Sequence, residues 1–118
     1  MTKSPNPTTL PAWQQLGAEF ERIKDVHMRD LFAEDPKRFD KYSLKINNIL
    51  FDYSKNRIDE PVMEQLLALA EQADVTGWRD RMLTGDKINH TEQRSVLHTA
   101  LRNFSNEPRY TDGEDVSF

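Results

Sequence analysis

No cysteine occurs in the 118-residue chain, which excludes disulfides, thiolate metal centres and cysteine nucleophiles and makes the reducing cytoplasm the expected location. Glycine is almost as scarce. The four glycines form no GxGxxG, Walker or GxSxG pattern, which argues against phosphate cradles made of backbone amides. No apolar run approaches the roughly 18 residues of a membrane-crossing helix. The opening MTKSPNPTTLPAWQQ lacks the apolar core and cleavage pattern of a signal peptide. The expectation is a protein that neither spans a membrane nor leaves by an ordinary signal. A basic excess is missing as well: sixteen Lys and Arg against twenty Asp and Glu leave a net charge of -4, so nucleic acid is not an expected partner. Apolar residues are also short. They make up 36%, below the roughly 45–50% usual for globular chains even when glycine is added, and this predicts a thin core.

What is present reads mainly as helix. Residues 1–9 are polar and interrupted by Pro5 and Pro7, a flexible arm ahead of one segment at 10–118. Pro11 suits a first helical position, and Trp13, Leu16, Phe20 and Ile23 recur at helical steps, predicting a helix over 11–25 with Gly17 marking close packing. Met28, Leu31 and Phe32 predict a second short helix that stops before a turn at Asp35-Pro36. Tyr42, Leu44 and Ile46, then Ile49, Phe51 and Tyr53, alternate on either side of Asn47-Asn48. This is a hairpin signal, and a two-stranded ribbon needs a covering surface.

Asp59 can cap a helix whose first turn holds Pro61. Its apolar stripe is Val62, Leu66, Leu69 and Ala73, broadened by Met63, Leu67 and Ala70. A further helix near Trp78–Leu83 should end at Gly85, and Asn89 or Thr91 should cap another that carries KINHTEQRSVLHTALRN, Lys87 to Asn103. Asp112-Gly113 reads as the turn of a second hairpin with short arms, one that looks cut rather than finished. The fold class is therefore mainly α with one or two short β-hairpins.

The quoted segment is the first candidate for chemistry. As a helix it places Val96, Leu97, Ala100, Leu101 and Phe104 on one face and Arg94, His98 and Arg102 in a row on another. Three cations in line could hold a phosphate or carboxylate. The plainer account is a scaffold helix whose polar row makes ion pairs and loop bonds, since this spacing is not specific to catalysis. His90 and His98, eight positions apart, do not form a zinc pair. His27 reads as a solvent-facing helix-end residue. Asp52-Tyr53-Ser54-Lys55-Asn56 gathers polar groups at a strand end, where turn chemistry accounts for them without a reaction. The residues by themselves assign no catalytic, substrate-binding, cofactor-binding or metal site.

Three pieces in order carry a resemblance. They are Asp52-Tyr53-Ser54-Lys55-Asn56; then Gly85-Asp86-Lys87-Ile88-Asn89 with Thr91-Glu92, Arg94, Val96-Leu97-His98 and Ala100-Leu101-Arg102-Asn103; then Asp112-Gly113-Glu114-Asp115-Val116. The chain resembles the N-terminal portion of the phosphoglucose isomerase family from Trp13 to Val116. The resemblance implies an incomplete N-terminal helical part of an α/β sugar-isomerase enzyme with two αβα sandwich domains, a homodimer that needs no cofactor. Its implied substrates are glucose 6-phosphate and fructose 6-phosphate, interconverted in glycolysis and gluconeogenesis through a cis-enediol. It also implies that the base, the ring-opening groups and the phosphate loop lie beyond this segment, so the isolated chain is expected to be inactive. Ser95 and Thr99 stand where the family has small or β-branched apolar residues, Phe104 where arginine is common, and Arg109-Tyr110-Thr111 replaces a more apolar approach to the turn. The alternative is a stand-alone helical protein-binding module of the same ancestry. A small enzyme built on Arg94, His98 and Arg102 lacks a carboxylate base.

Overall fold

The computed structural model describes residues 6–105, 107–111 and 113–116, and the chain forms two compact units, Pro7–Leu69 and Ala70–Phe118 with Met1–Asn6. Of the expected arm, residues 1–5 lie outside the described residues, and Pro7–Thr9 forms a 3-10 turn. The description is mainly helical with two small antiparallel hairpins.

In the first unit, helix α1 covers Pro11–Ile23 with proline in its opening turn, where a missing N–H costs nothing and the fixed φ suits the helix. Helix α2, Met28–Glu34, is capped by His27, whose Nδ1 accepts the Arg29 N–H at 3.1 Å. The expected turn follows: Asp35 accepts the Arg38 N–H on its carbonyl at 3.0 Å and the Lys37 N–H on Oδ1 at 3.0 Å. One further turn of helix, α3 at Arg38–Lys41, has no sequence expectation behind it, because four residues show no period. Strands β1, Ser43–Ile46, and β2, Ile49–Asp52, pair Ser43 with Asp52 and Ile46 with Ile49. Asn47 turns the chain at φ 52°, a conformation that asparagine tolerates. Helix α4, Glu60–Gln72, begins as expected, with Asp59 Oδ1 accepting the Val62 N–H at 3.2 Å.

The core is small. Ile23, Tyr42, Ile58 and Val62 are buried together and flanked by Leu16, Val26, Tyr53 and Met63, each fully buried side chain contributing about 2 kcal/mol. The expected stripe on α1 divides. Ala12 and Ile23 are buried with Leu16 beside them, whereas Trp13 and Phe20 are exposed because they lie about a quarter turn round the helix from that face. Gly17 shares their face, and a Cβ there would have no neighbour within 4 Å, which corrects the expectation of close packing. On α4 Val62 alone of the stripe is buried.

Arg38 ties this unit together. Only 2% of it is exposed, and its guanidinium donates from Nε to the Ser54 carbonyl at 2.9 Å and from Nη2 to the Asn56 carbonyl at 2.8 Å. The faces of Phe32 and Tyr42 lie 5.5 and 4.8 Å away, so carbonyl dipoles and ring quadrupoles stand in for water around a buried cation.

In the second unit helix α5, Val75–Leu83, ends at Gly85 as expected. The Gly85 N–H reaches the Met82 carbonyl at 3.3 Å and the Asp86 N–H reaches the Arg81 carbonyl at 3.0 Å, the paired bonds of a Schellman ending. Gly85 adopts φ +86°, and a Cβ would lie 2.2 Å from the Tyr110 carbonyl oxygen. Strands β3, Tyr110–Thr111, and β4, Glu114–Asp115, pair antiparallel around Gly113. Asp112, the other expected turn residue, lies outside the described residues.

The helix expected from Asn89 or Thr91 through Phe104 is not formed. Asn89 instead bridges Arg94, Gln93 takes φ 56°, and Leu97–Arg102 makes turns with a Leu97 carbonyl to Leu101 N–H bond of 3.2 Å. Little of the expected helix's apolar face is covered. Of the intended apolar face Ala100 is buried, while Leu101 is exposed and Phe104 is 94% exposed, and a helix of this length is marginal without a surface to pack on.

Replacing Arg38 by Met is expected to lower unfolding free energy by about 3 kcal/mol, since two inward carbonyls lose their donor, measured by urea titration. Arg22→Met, which removes an exposed fork on Asp59, is expected to lose less.

Candidate functional site

The polar cluster at the end of β2 is a closed turn. Asp52 Oδ1 accepts from the Ser54 N–H at 2.9 Å and from Ser54 Oγ at 2.6 Å, while Oδ2 holds Lys55 Nζ at 2.8 Å. These partners, Lys55 first and then Ser54, hold the Asp52 carboxyl at about 2, which suits a permanent anion rather than a proton carrier at neutral pH. Ser54 is fully buried, and its carbonyl is the one taken by Arg38. Tyr53 lies edge-on to Tyr42 at 5.9 Å and stacks on Phe51 at 5.3 Å. The turn-chemistry expectation for Asp52 to Asn56 describes what these groups do.

The cationic row does not assemble. Arg94 is exposed and its backbone pairs with Asn89, while His98 and Arg102 are exposed within the turns, joined by an Arg102 Nη1 bond to the His98 carbonyl at 3.2 Å. Without a helix over 91–104 there is no common face to align them. His90 is exposed, its carbonyl accepting from Gln93 Nε2 at 2.7 Å, and His27 is the exposed cap of α2. Among the described residues no three His, Asp or Glu side chains gather in a way that would hold a metal.

A second polar corner surrounds Gly85. Its carbonyl receives Ser95 Oγ at 2.6 Å and Thr111 Oγ1 at 2.8 Å, and the two hydroxyls lie 2.6 Å apart. Three contacts share two protons, so two of them are hydrogen bonds at any instant. Sequence reading had Ser95 and Thr111 as separate departures from a pattern, with no signal that they meet across sixteen positions. Beside them a cavity of about 410 Å³ is lined by Trp78, Arg81, Asp86, Lys87 and Tyr110 among others. The Arg81 guanidinium lies over Trp78 at 4.3 Å and grips Asp74 at 2.8 Å. The lining offers charge, and none of the hydrogen bonds described around it joins a nucleophile to a base.

Comparison with known proteins gives a consistent result. The phosphoglucose isomerase family profile matches residues 52–118. The chain is 50% identical over 112 residues to a glucose-6-phosphate isomerase of Pseudoalteromonas translucida and 49% identical over 112 residues to one of Methylococcus capsulatus, each match covering 95% of the chain. A third, from Pseudoalteromonas atlantica, is 52% identical over 109 residues. The chain spans about a fifth of the length of these relatives.

Two outcomes are expected here. A carboxyl held low in the folded state stabilises above its ordinary value of 3.8 and loses that contribution as pH falls toward about 2. Asp52→Asn should therefore flatten this part of the acid-unfolding curve, followed by circular dichroism. Ser95→Ala and Thr111→Val, singly and together, should show a coupling of about 1 kcal/mol in a double-mutant cycle; additive losses would mean that the hydroxyls do not act as a unit.

Proposed function

This chain belongs to the phosphoglucose isomerase family, and on that premise we propose that it is the N-terminal segment of a cytoplasmic glucose-6-phosphate isomerase. The full protein interconverts glucose 6-phosphate and fructose 6-phosphate as a homodimer of αβα sandwich domains. Residues 10–118 form one segment of it, preceded by an arm at 1–9. The observation that carries the reading is identity near 50% along 95% of this chain to proteins of which it covers 20%.

Aldose–ketose isomerisation moves a proton between adjacent carbons, so it needs a placed base beside the acidic C–H and a cation beside the developing oxyanion. In the family those groups lie downstream of this segment. The polar groups described above do not supply them. Asp52 is committed to Ser54 and Lys55, and Arg38 to two carbonyls. The role of the segment is to be a scaffold for the domains that carry the chemistry. No helix among the described residues is long and apolar enough to cross a membrane.

The test is fructose 6-phosphate formation from glucose 6-phosphate, followed with the full-length gene product and with residues 1–118 alone. Turnover by the former and none by the latter is expected. A full-length product without turnover would overturn the reading, and turnover by the short chain would overturn the scaffold role.

A further inference from the structure

The β1–β2 ribbon has two unlike faces. Cross-strand partners share a face, so Leu44 with Phe51 and Ile46 with Ile49 form one side, and Lys45 with Leu50 and Ser43 with Asp52 form the other. The first side is wholly apolar, yet its four residues are 54 to 71% exposed. Alternation of this kind is the pattern of a strand with one covered face. The ribbon joins the core at one end, where Phe51 stacks on Tyr53, and Tyr53 packs on the buried Tyr42.

We propose that the Leu44–Ile46–Ile49–Phe51 face is an internal docking surface, covered in the full-length isomerase by an apolar face of the same polypeptide from beyond residue 118. The inference rests on the functional reading above. Three observations favour this occupant. The relatives that match almost the whole chain are about five times its length, so most of their polypeptide lies outside the matched segment. The face carries no charged side chain, so its complement is apolar rather than an acidic or basic partner. Four side chains offer a few hundred Å² at most, below the roughly 800 Å² per partner of a stable free-standing complex. A covalently joined surface needs no such area, because its effective concentration is already high.

The experiment uses the full-length enzyme and thermal midpoints. Ile46→Lys is expected to lower the midpoint by about 5 °C or more, and Leu50→Lys, on the opposite face, to leave it within about 1 °C. Should Ile46→Lys fail to fold, Ile49→Ala decides: a covered side chain costs several degrees, whereas an exposed one costs nothing measurable. Equal midpoints for the two faces would overturn the proposal. So would an Ile46→Lys enzyme of unchanged midpoint that sediments as folded monomers where the parent is larger, since that result places a second copy on the face. Isomerase turnover of the parent, assayed in the same preparation, reports on the functional reading separately. An inactive parent refutes that reading, while the difference between the two faces still reports whether the ribbon is covered.

Discussion

The guanidinium of Arg38 is almost completely out of water and is held by the carbonyls of Ser54 and Asn56 and by two aromatic faces. A buried cation is tolerable only when it is hydrogen-bonded, so the loop at 54–56, which supplies both carbonyls, has little freedom to be elsewhere. That constraint spreads in both directions along the chain. Upstream it fixes α3 against the end of β2, where Asp52 closes on Ser54. Downstream it delivers Ile58 to the core and Asp59 to the start of α4. Tyr42, at the end of α3, contributes a ring to the cation and its own side chain to the core. Burial raises the Tyr42 phenol above its ordinary value, against the lowering effect of Lys41 and Arg38, so it remains neutral in this setting.

Polar constraints of this kind position elements without giving them much to bury. The first unit packs a cluster of four buried residues and leaves Trp13 and Phe20 on α1, Leu67 on α4 and one whole face of the ribbon in solvent. In the second unit the same shortage has a sharper effect. Leu97, Leu101 and Phe104 recur at helical spacing, but Leu101 and Phe104 are bare and the backbone forms turns. A helix of this length is marginal without a surface to pack on, and so is a two-stranded ribbon with a bare face. Exposed apolar faces fit a chain that spans a fifth of its relatives.

Elements with local signals were legible in the sequence. Pro11, Asp59 and Gly85 mark ends that depend on a few adjacent backbone groups, and the ribbon followed from alternation around Asn47-Asn48. Contacts made at a distance were not legible. The carbonyl partners of Arg38 lie 16 and 18 positions away, and nothing in either stretch names the other. Ser95 and Thr111 look like unrelated polar intrusions until the ending of α5 brings them to one carbonyl. The helix over 91–104 shows the opposite limit: its periodicity is plain, but periodicity states which face wants burial, not whether a partner surface exists.

The same distinction governs the polar clusters. Asp52 with Ser54 and Lys55 has the residue types of a small site, but its carboxylate already accepts three hydrogen bonds, and a base must keep a lone pair and a pKa near working pH. Arg38 directs two of its N–H donors at carbonyls, and the hydroxyls of Ser95 and Thr111 are occupied with each other and with Gly85. Satisfaction is what stabilises a scaffold, and it is also what removes these groups from chemistry. A segment whose buried polar groups are used in this way holds its own loops and turns in place, because each of those groups would lose a partner if the backbone moved.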